Sequence, residues 1–154
     1  MFCEKLPYTL TVVIREDKEA VLMCLHNKFN SLNYVGGHVE ENETLMAASY
    51  RELYEETGIS PEDIDLYEIR REQVSSVASD RYWDMFITGG ILKKPVKLVQ
   101  EANKLIWIPL DVKGIHKITY LSHGFGNCFT YLMETLKILN PDKVEDLIDL
   151  INQV

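Results

Sequence analysis

GHVEENETLMAASYRELYEETGI, Gly37–Ile59, is a loop that runs into a single helix. The helical part spans Glu43–Thr57, with Thr44 near its start and Gly58 where a left-handed C-terminal cap belongs; Pro61 ends any continuation. At 100° per residue, Leu45, Ala48, Ser49, Glu52 and Glu56 fall within about 60° of one direction, with Glu55 at the border. Two carboxylates therefore share the apolar stripe. Acids on a solvated helix usually lie opposite the leucines, and a carboxylate beside a core costs free energy unless something positive compensates it. A hard cation does so. Glu52, Glu55 and Glu56 stand at i, i+3 and i+4, so their side chains leave adjacent turns on one side and can converge on Mg²⁺, which prefers oxygen ligands. Taken alone, the same glutamates also fit an ordinary acidic helix paired with Arg51 and nearby lysines. Ala48 and Ser49 are small and let a neighbouring loop approach.

Outward from this helix the pattern alternates. Tyr8–Arg15 (YTLTVVIR) and Ala20–Leu25 (AVLMCL), joined by the charged turn Glu16–Glu19, form a hairpin. A loop from His26 to Leu32 follows, and the short segment Asn33–Val35 runs into Gly37. Beyond the helix, Leu66–Val77 and Tyr82–Leu92 are strands separated by a turn at Ser79–Asp80, and Leu105–Ile108, bounded by Pro109, is another; this half of the sheet reads as antiparallel. Gly124 or Gly126 opens a helix to Leu139, and Asn140-Pro141 starts a last helix with Val144, Leu147, Ile148 and Ile151 at helical spacing. The sum is an α/β (α+β) layered fold.

The 154 residues, 46% apolar and 26% charged, suit one domain over 1–154 with a proper core. A net charge of −8 argues against a nucleic-acid polymer as partner, because phosphate neutralisation needs clustered Lys and Arg. It does not argue against a polyphosphate bridged to the protein by a divalent cation. Cys3, Cys24 and Cys128 lack CxxC spacing, so neither a disulfide framework nor a zinc site is expected. No stretch approaches the ~18 apolar residues of a membrane span, so a cytoplasmic protein without membrane contact is expected.

Counted from Gly37, the order is Gly, five residues, Glu43, seven residues, Arg51-Glu52-Leu53, one residue, Glu55-Glu56, one residue, Gly58-Ile59. This resembles the Nudix box at all nine of its specified positions, a match expected by chance on the order of once in ten million such chains. The resemblance implies the Nudix fold, an α/β/α sandwich with a central mixed sheet. It also implies Mg²⁺-dependent hydrolysis, with Mn²⁺ as a substitute, of the diphosphate linkage in a small molecule containing a nucleoside diphosphate. Glu52, Glu55 and Glu56 become the metal set, with the carbonyl of Gly36 or Gly37 as a further ligand. Glu43, Arg51 and Gly58 become architectural. The general base is a box glutamate or Glu101, which precedes the Leu105–Ile108 strand. Cations on the pyrophosphate and an activated water leave little covalent chemistry to the protein.

Two features outside the box resemble the MutT-like branch, whose members release pyrophosphate from purine nucleoside triphosphates, oxidised ones included. These are Thr9 within Tyr8-Thr9-Leu10, and Asn33 ahead of Gly36-Gly37, at the place of an Asn that hydrogen-bonds a purine edge. His38, where Lys or Arg often follows the glycines, is a candidate phosphate contact. Tyr82-Trp83 and Phe86, and the loop bearing Tyr120, His123 and Phe125, are candidate stacking surfaces. Leu32 replaces the usual Trp, and an acidic pair near Tyr120–Phe125 is missing, so 8-oxo-dGTP is not singled out. ADP-ribose, nucleotide sugars and dinucleoside polyphosphates are the other substrates the family admits. A non-catalytic nucleotide sensor is the alternative of a different class, against which stands the intact set of box glutamates. The expected partner is a small nucleotide, bound by a monomer or homodimer.

Overall fold

A computed structural model describes residues 4–26, 31–75, 81–99, 104–121 and 128–153. Their elements follow in the order β1 (Glu4–Ile14), β2 (Ala20–His26), β3 (Ser31–Asn33), β4 (Val35–His38), α1 (Leu45–Thr57), β5 (Tyr67–Ser75), β6 (Arg81–Ile91), β7 (Lys104–Pro109), α2 (Val112–Leu121), α3 (Cys128–Leu139) and α4 (Pro141–Asn152). Glu101, the turn at Ser79–Asp80, His123 and Phe125 lie outside the described residues.

Strand β1 organises the sheet. It pairs antiparallel with β4 from Tyr8↔His38 to Thr11↔Val35, and parallel with β6 from Glu4↔Arg81 to Ile14↔Ile91. It meets β2 at Ile14↔Val21, β2 carries β3 and β7, and β5 closes the other side against β6. The expected antiparallel pairing of the second half holds for β5 with β6, while β6 runs parallel to β1, which makes the sheet mixed as the resemblance implies. The long connection through α1 and β5 supplies the crossover that a parallel pair requires.

Period-two alternation sends side chains to two cores. Leu10, Val12, Ile14, Val21 and Met23 join Ile115 and Ile118 of α2, Tyr131, Leu132 and Leu136 of α3 and Leu147 of α4. Val13 and Leu22, from the same strands, instead meet Leu53 of α1 with Ile59 and Ile64. The sheet thus lies between α1 and the three later helices, an α/β/α sandwich.

Helix α1 is capped as its sequence predicts. The Thr44 hydroxyl accepts the Ala47 amide at 3.0 Å, and Gly58, at φ 80°, donates its amide to Tyr54 O at 2.9 Å. The helix starts at Leu45 rather than Glu43 because Thr44 is its cap. Helix α2 was not expected. Gly114 within it lowers helix propensity, yet a Cβ there would stand 1.7 Å from the Pro109 carbonyl oxygen, so close packing excludes a better helix former. Its start is fixed by Asp111, whose Oδ1 accepts the Gly114 amide at 2.8 Å. The expected loop from His26 to Leu32 is also shorter, since β2 reaches His26 and β3 begins at Ser31. No helix among the described residues is long and apolar enough to cross a membrane.

Candidate functional site

Arg51, on α1, holds the loop after β4. Its Nε donates to Glu43 Oε2 at 2.6 Å and its Nη2 to Glu43 Oε1 at 2.9 Å, a bidentate pair. Nη2 also donates to the carbonyl of His38 at 3.0 Å, and the Glu40 amide donates to Glu43 Oε1 at 3.0 Å. Residues 38–43 are thereby tied to the second turn of the helix. The Arg51 guanidinium holds the Glu43 carboxyl down to about 2, with the Glu40 amide adding to the effect.

The other side of Arg51 meets two more acids. Nη1 lies 3.0 Å from Glu52 Oε1 and 3.3 Å from Glu55 Oε2. Among the described residues no group of three or more His, Cys, Asp or Glu side chains is arranged to hold a metal ion, which is consistent with Glu52 and Glu55 both turning to the guanidinium.

Glu52 and Glu56 are pressed against the two strand glycines. A Cβ on Gly37 would stand 2.2 Å from the Glu52 carboxyl carbon and 2.4 and 2.5 Å from its oxygens, so the missing side chain is the space the carboxylate occupies. The Gly36 amide donates to Glu56 Oε2 at 3.1 Å. Burial, opposed by that bond and assisted by the charges of Glu52 and Glu55, raises Glu56 to about 7. Burial likewise raises Glu52, against the pull of Arg51. Glu55 is more exposed, at 57% of its side chain. The donors gathered here are carboxylate and carbonyl oxygens, a set suited to a hard divalent cation.

A family model for the NUDIX domain matches residues 5–112. The chain belongs to the NUDIX family. An RNA pyrophosphohydrolase of Histophilus somni (strain 2336) is 35% identical over 97 residues, covering 63% of this chain and 42% of that protein. The match therefore spans about two fifths of the relative's length. Among solved structures, the E. coli dihydroneopterin triphosphate pyrophosphohydrolase aligns with a TM-score of 0.70 and 18% identity, over 89% of this chain and 99% of that one. A C. elegans Ap4A hydrolase aligns at 0.68 and 18%, over 88% and 99%. At these identities the likeness is one of fold.

The remaining residues singled out by sequence take varied places in this NUDIX chain. Thr9 is fully buried, and its hydroxyl lies 3.5 Å from the Gly37 carbonyl. It pairs opposite Gly37 in the β1–β4 register, with its side chain closed to solvent. The His38 ring packs 5.1 Å from that of Tyr8 and 5.4 Å from that of Trp83, and the last two are 5.5 Å apart. This triangle, not an isolated imidazole, is what His38 presents. Asn33 accepts the Tyr34 amide on Oδ1 at 3.0 Å and lies opposite Cys24 in the β2–β3 register. Cys24 is in turn close enough to Glu56 for the acid's charge to add to burial in raising its thiol. Tyr82 is exposed, and Phe86 is buried with the Arg71 guanidinium 5.2 Å above its ring. Gly58 caps α1, and Tyr120, expected in a loop, lies exposed in the last turn of α2.

Sequence reasoning did not find the Gly36 amide, the His38 carbonyl or Tyr8 as parts of the site. Tyr8 carries a legible consequence: burial first, and then the charges of Glu56 and Glu52, push its hydroxyl up to about 12. Only the register of β1 against β4 and β6 could have placed it there. A separate cleft of about 450 Å³, whose lining includes Leu45, Arg71, Asp84 and Phe86, contains no box glutamate.

Proposed function

We propose that this chain is a Mg²⁺-dependent pyrophosphohydrolase that cleaves the diphosphate linkage of a nucleoside-diphosphate-containing small molecule. Its first substrate class is a nucleoside triphosphate, oxidised purines included, converted to monophosphate and pyrophosphate. The observation that carries this reading is the seating of Glu52 over Gly37 and of Glu56 on the Gly36 amide, beside the Arg51–Glu43 clamp. Mg²⁺, or Mn²⁺ in its place, would be held by Glu52, Glu55, Glu56 and the Gly37 carbonyl. When bound it supplies charge neutralisation at the anhydride oxygens and lowers the pKa of water.

The protein's own groups do the rest. Arg51 fixes the angle between the loop and α1, so that the glutamates are presented together. The general base is a box glutamate or Glu101; Glu56, raised in the metal-free chain, would give up its proton when a cation binds. Asn33, with Oδ1 already committed to Tyr34, offers Nδ2 donors to a ring acceptor. Tyr8, His38 and Trp83 supply ring surface at the β1–β4 edge of the site.

A second reading rests on the name of the Histophilus somni relative, an RNA pyrophosphohydrolase, and makes RNA the substrate. The charge of −8 weighs against it. One panel separates these readings: Mg²⁺ with (d)NTPs, oxidised dNTPs, ADP-ribose, nucleotide sugars, dinucleoside polyphosphates and a 5′-triphosphorylated RNA, with products identified. Pyrophosphate plus nucleoside monophosphate supports the first reading, and turnover confined to the RNA supports the second. AMP plus a sugar phosphate moves the substrate class elsewhere in the family. No turnover of anything would leave a nucleotide-binding module.

A further inference from the structure

Asn33, half-buried, ends β3 opposite Cys24 of β2, whose thiol feels the charge of Glu56. Its amide oxygen is reached from two directions. The Tyr34 N–H donates to Oδ1 at 3.0 Å, and the Cys128 thiol donates to the same atom at 3.8 Å. The first bond joins neighbours in sequence and moves with the bend between β3 and β4. The second crosses 95 residues and ties the amide to the start of α3. An amide oxygen has two lone pairs, and here each has a donor. A flip of the amide would set Nδ2 against an N–H and an S–H, losing both bonds at once.

Cys128 is in turn fixed by Tyr34. The Tyr34 hydroxyl donates to the Cys128 carbonyl at 2.6 Å, and both residues are only 3% exposed. Burial first, then Cys128 and Tyr131, holds that hydroxyl well above its ordinary range, so it remains a donor. A short bond of this kind, shielded from water, is stronger than its exposed counterpart. One turn along α3, the fully buried Tyr131 donates its hydroxyl to Glu72 of β5. The start of α3 is therefore pinned both at the β3–β4 bend and at β5. Three contacts close a ring: Tyr34 amide to Asn33, Tyr34 hydroxyl to Cys128, and Cys128 thiol back to Asn33.

We infer that Tyr34 and Cys128 are positioning residues for base selection: through the start of α3 they hold Asn33 with Nδ2 outward, so that a 6-oxo purine is taken ahead of a 6-amino purine. The inference rests on the reading of Asn33 as the residue that meets the base. Tyr34 and Cys128, closed to solvent, act through the direction of that one amide. A donor pair so fixed is satisfied by a ring carbonyl and left opposed by an exocyclic amino group.

The test uses the whole chain and two readouts. Calorimetry in Mg²⁺ gives the preference for α,β-methylene GTP over α,β-methylene ATP, and NMR of the ligand-free chain follows the Asn33 side-chain amide, assigned with Asn33→Ala. Tyr34→Phe keeps the ring in the core and removes its hydroxyl; Cys128→Ala removes the thiol and leaves the carbonyl. Each is expected to shift the Nδ2 signals and to lower the preference for the GTP analogue about threefold or more. Circular dichroism shows that each variant is folded, and Cys128→Ala carries the test if Tyr34→Phe is not. An amide unshifted in both variants overturns the inference alone. So does a preference that both variants keep and Asn33→Ala loses. A preference untouched by Asn33→Ala, or a wild type that binds the two analogues equally or binds neither, overturns the inference together with the reading of Asn33.

Discussion

The amide of Gly36 donates to Oε2 of Glu56 at 3.1 Å, and the carboxyl that receives it still titrates at about 7 rather than 4.5. Burial therefore outweighs the bond. Between those two values the folded chain keeps a proton that the unfolded chain has released, so stability falls as pH rises through that window and is level above it. In EDTA, the Tm of the wild type is expected to decline from about pH 5 to about pH 7 on account of this group, and Glu56→Gln should flatten that part of the profile. An unchanged slope in Glu56→Gln would assign the titration to another group.

The adjacent glycines should answer to substitution differently. In Gly37→Ala the new Cβ meets the carboxylate of Glu52, the far end of a flexible side chain, at 2.2–2.5 Å. The side chain can swing away, so the fold survives and the position of the carboxylate is lost. In Gly36→Ala the Cβ meets the Thr9 carbonyl oxygen at 1.9 Å, which is backbone and cannot yield without opening the β1–β4 pair. The expected outcome is a kcat lowered about tenfold or more with a small change in Tm for Gly37→Ala, and a large fall in Tm for Gly36→Ala. Equal effects on both quantities in both variants would remove the distinction.

Replacing Arg51 by Lys keeps the charge and removes the fork. Lysine cannot serve both oxygens of Glu43 together with the His38 carbonyl, so loop 38–43 loosens. Activity and Tm should both fall, with KM affected less than kcat. The same pair sets an acid limit. The Glu43 carboxyl is held down to about 2, so its contribution to stability is complete above the ordinary carboxylate range and is lost as pH falls through about 2. Glu43→Gln removes that contribution and should bring acid unfolding, followed by circular dichroism, to a higher pH. A midpoint no higher than that of the wild type would show that the pair does not resist acid unfolding.

How much of this was legible follows from where the information lies. Caps and the i, i+3, i+4 spacing are local, so α1, its cap at Thr44 and the convergence of the box on one helix could be read from Gly37–Ile59 alone. The apolar runs of β1 and β2 could be read as strands, but which of their residues meet α1 and which the later helices came only from the fold. The β1–β6 register is non-local: nothing in Tyr8 or Trp83 announces that parallel pairing brings their rings to 5.5 Å, or that His38 closes the triangle. Thr9 shows the same limit, since its neighbours in sequence do not announce that it pairs opposite Gly37 and is buried there. Helix α2 was hidden by Gly114, a residue chosen for its distance to Pro109 rather than for propensity.

If Glu55 and Glu56 are metal ligands, each amide variant removes one ligand charge without removing volume. Glu55→Gln and Glu56→Gln should each lower kcat by about 10²-fold or more. Glu55 also contacts Arg51, at 3.3 Å, but that contact is long and exposed and contributes little to stability. The Tm of metal-free Glu55→Gln is therefore expected to match wild type, and its Mg²⁺-induced rise in Tm to be reduced. Near-normal turnover in both variants would remove the metal assignment.

Asn33 tests the substrate side of the site. An amide side chain has one acceptor and two donors, and which end is which is ordinarily ambiguous. Here it is settled, because the Tyr34 N–H 3.0 Å away can bond only to an oxygen. The Cys128 thiol points to the same Oδ1 at 3.8 Å, and Nδ2 makes no hydrogen bond among the described residues. The side chain therefore presents donors. A ring edge with a carbonyl or an unprotonated nitrogen can accept them, whereas an exocyclic amino group cannot. Asn33→Ala should lower kcat/KM for nucleotides with a 6-oxo purine about tenfold or more, and for pyrimidine nucleotides less. Asn33→Asp, which replaces the donors with an acceptor, should lower the 6-oxo purine further while sparing adenine nucleotides. An equal loss on every base in both variants would leave Asn33 as a residue that only braces the turn at Tyr34.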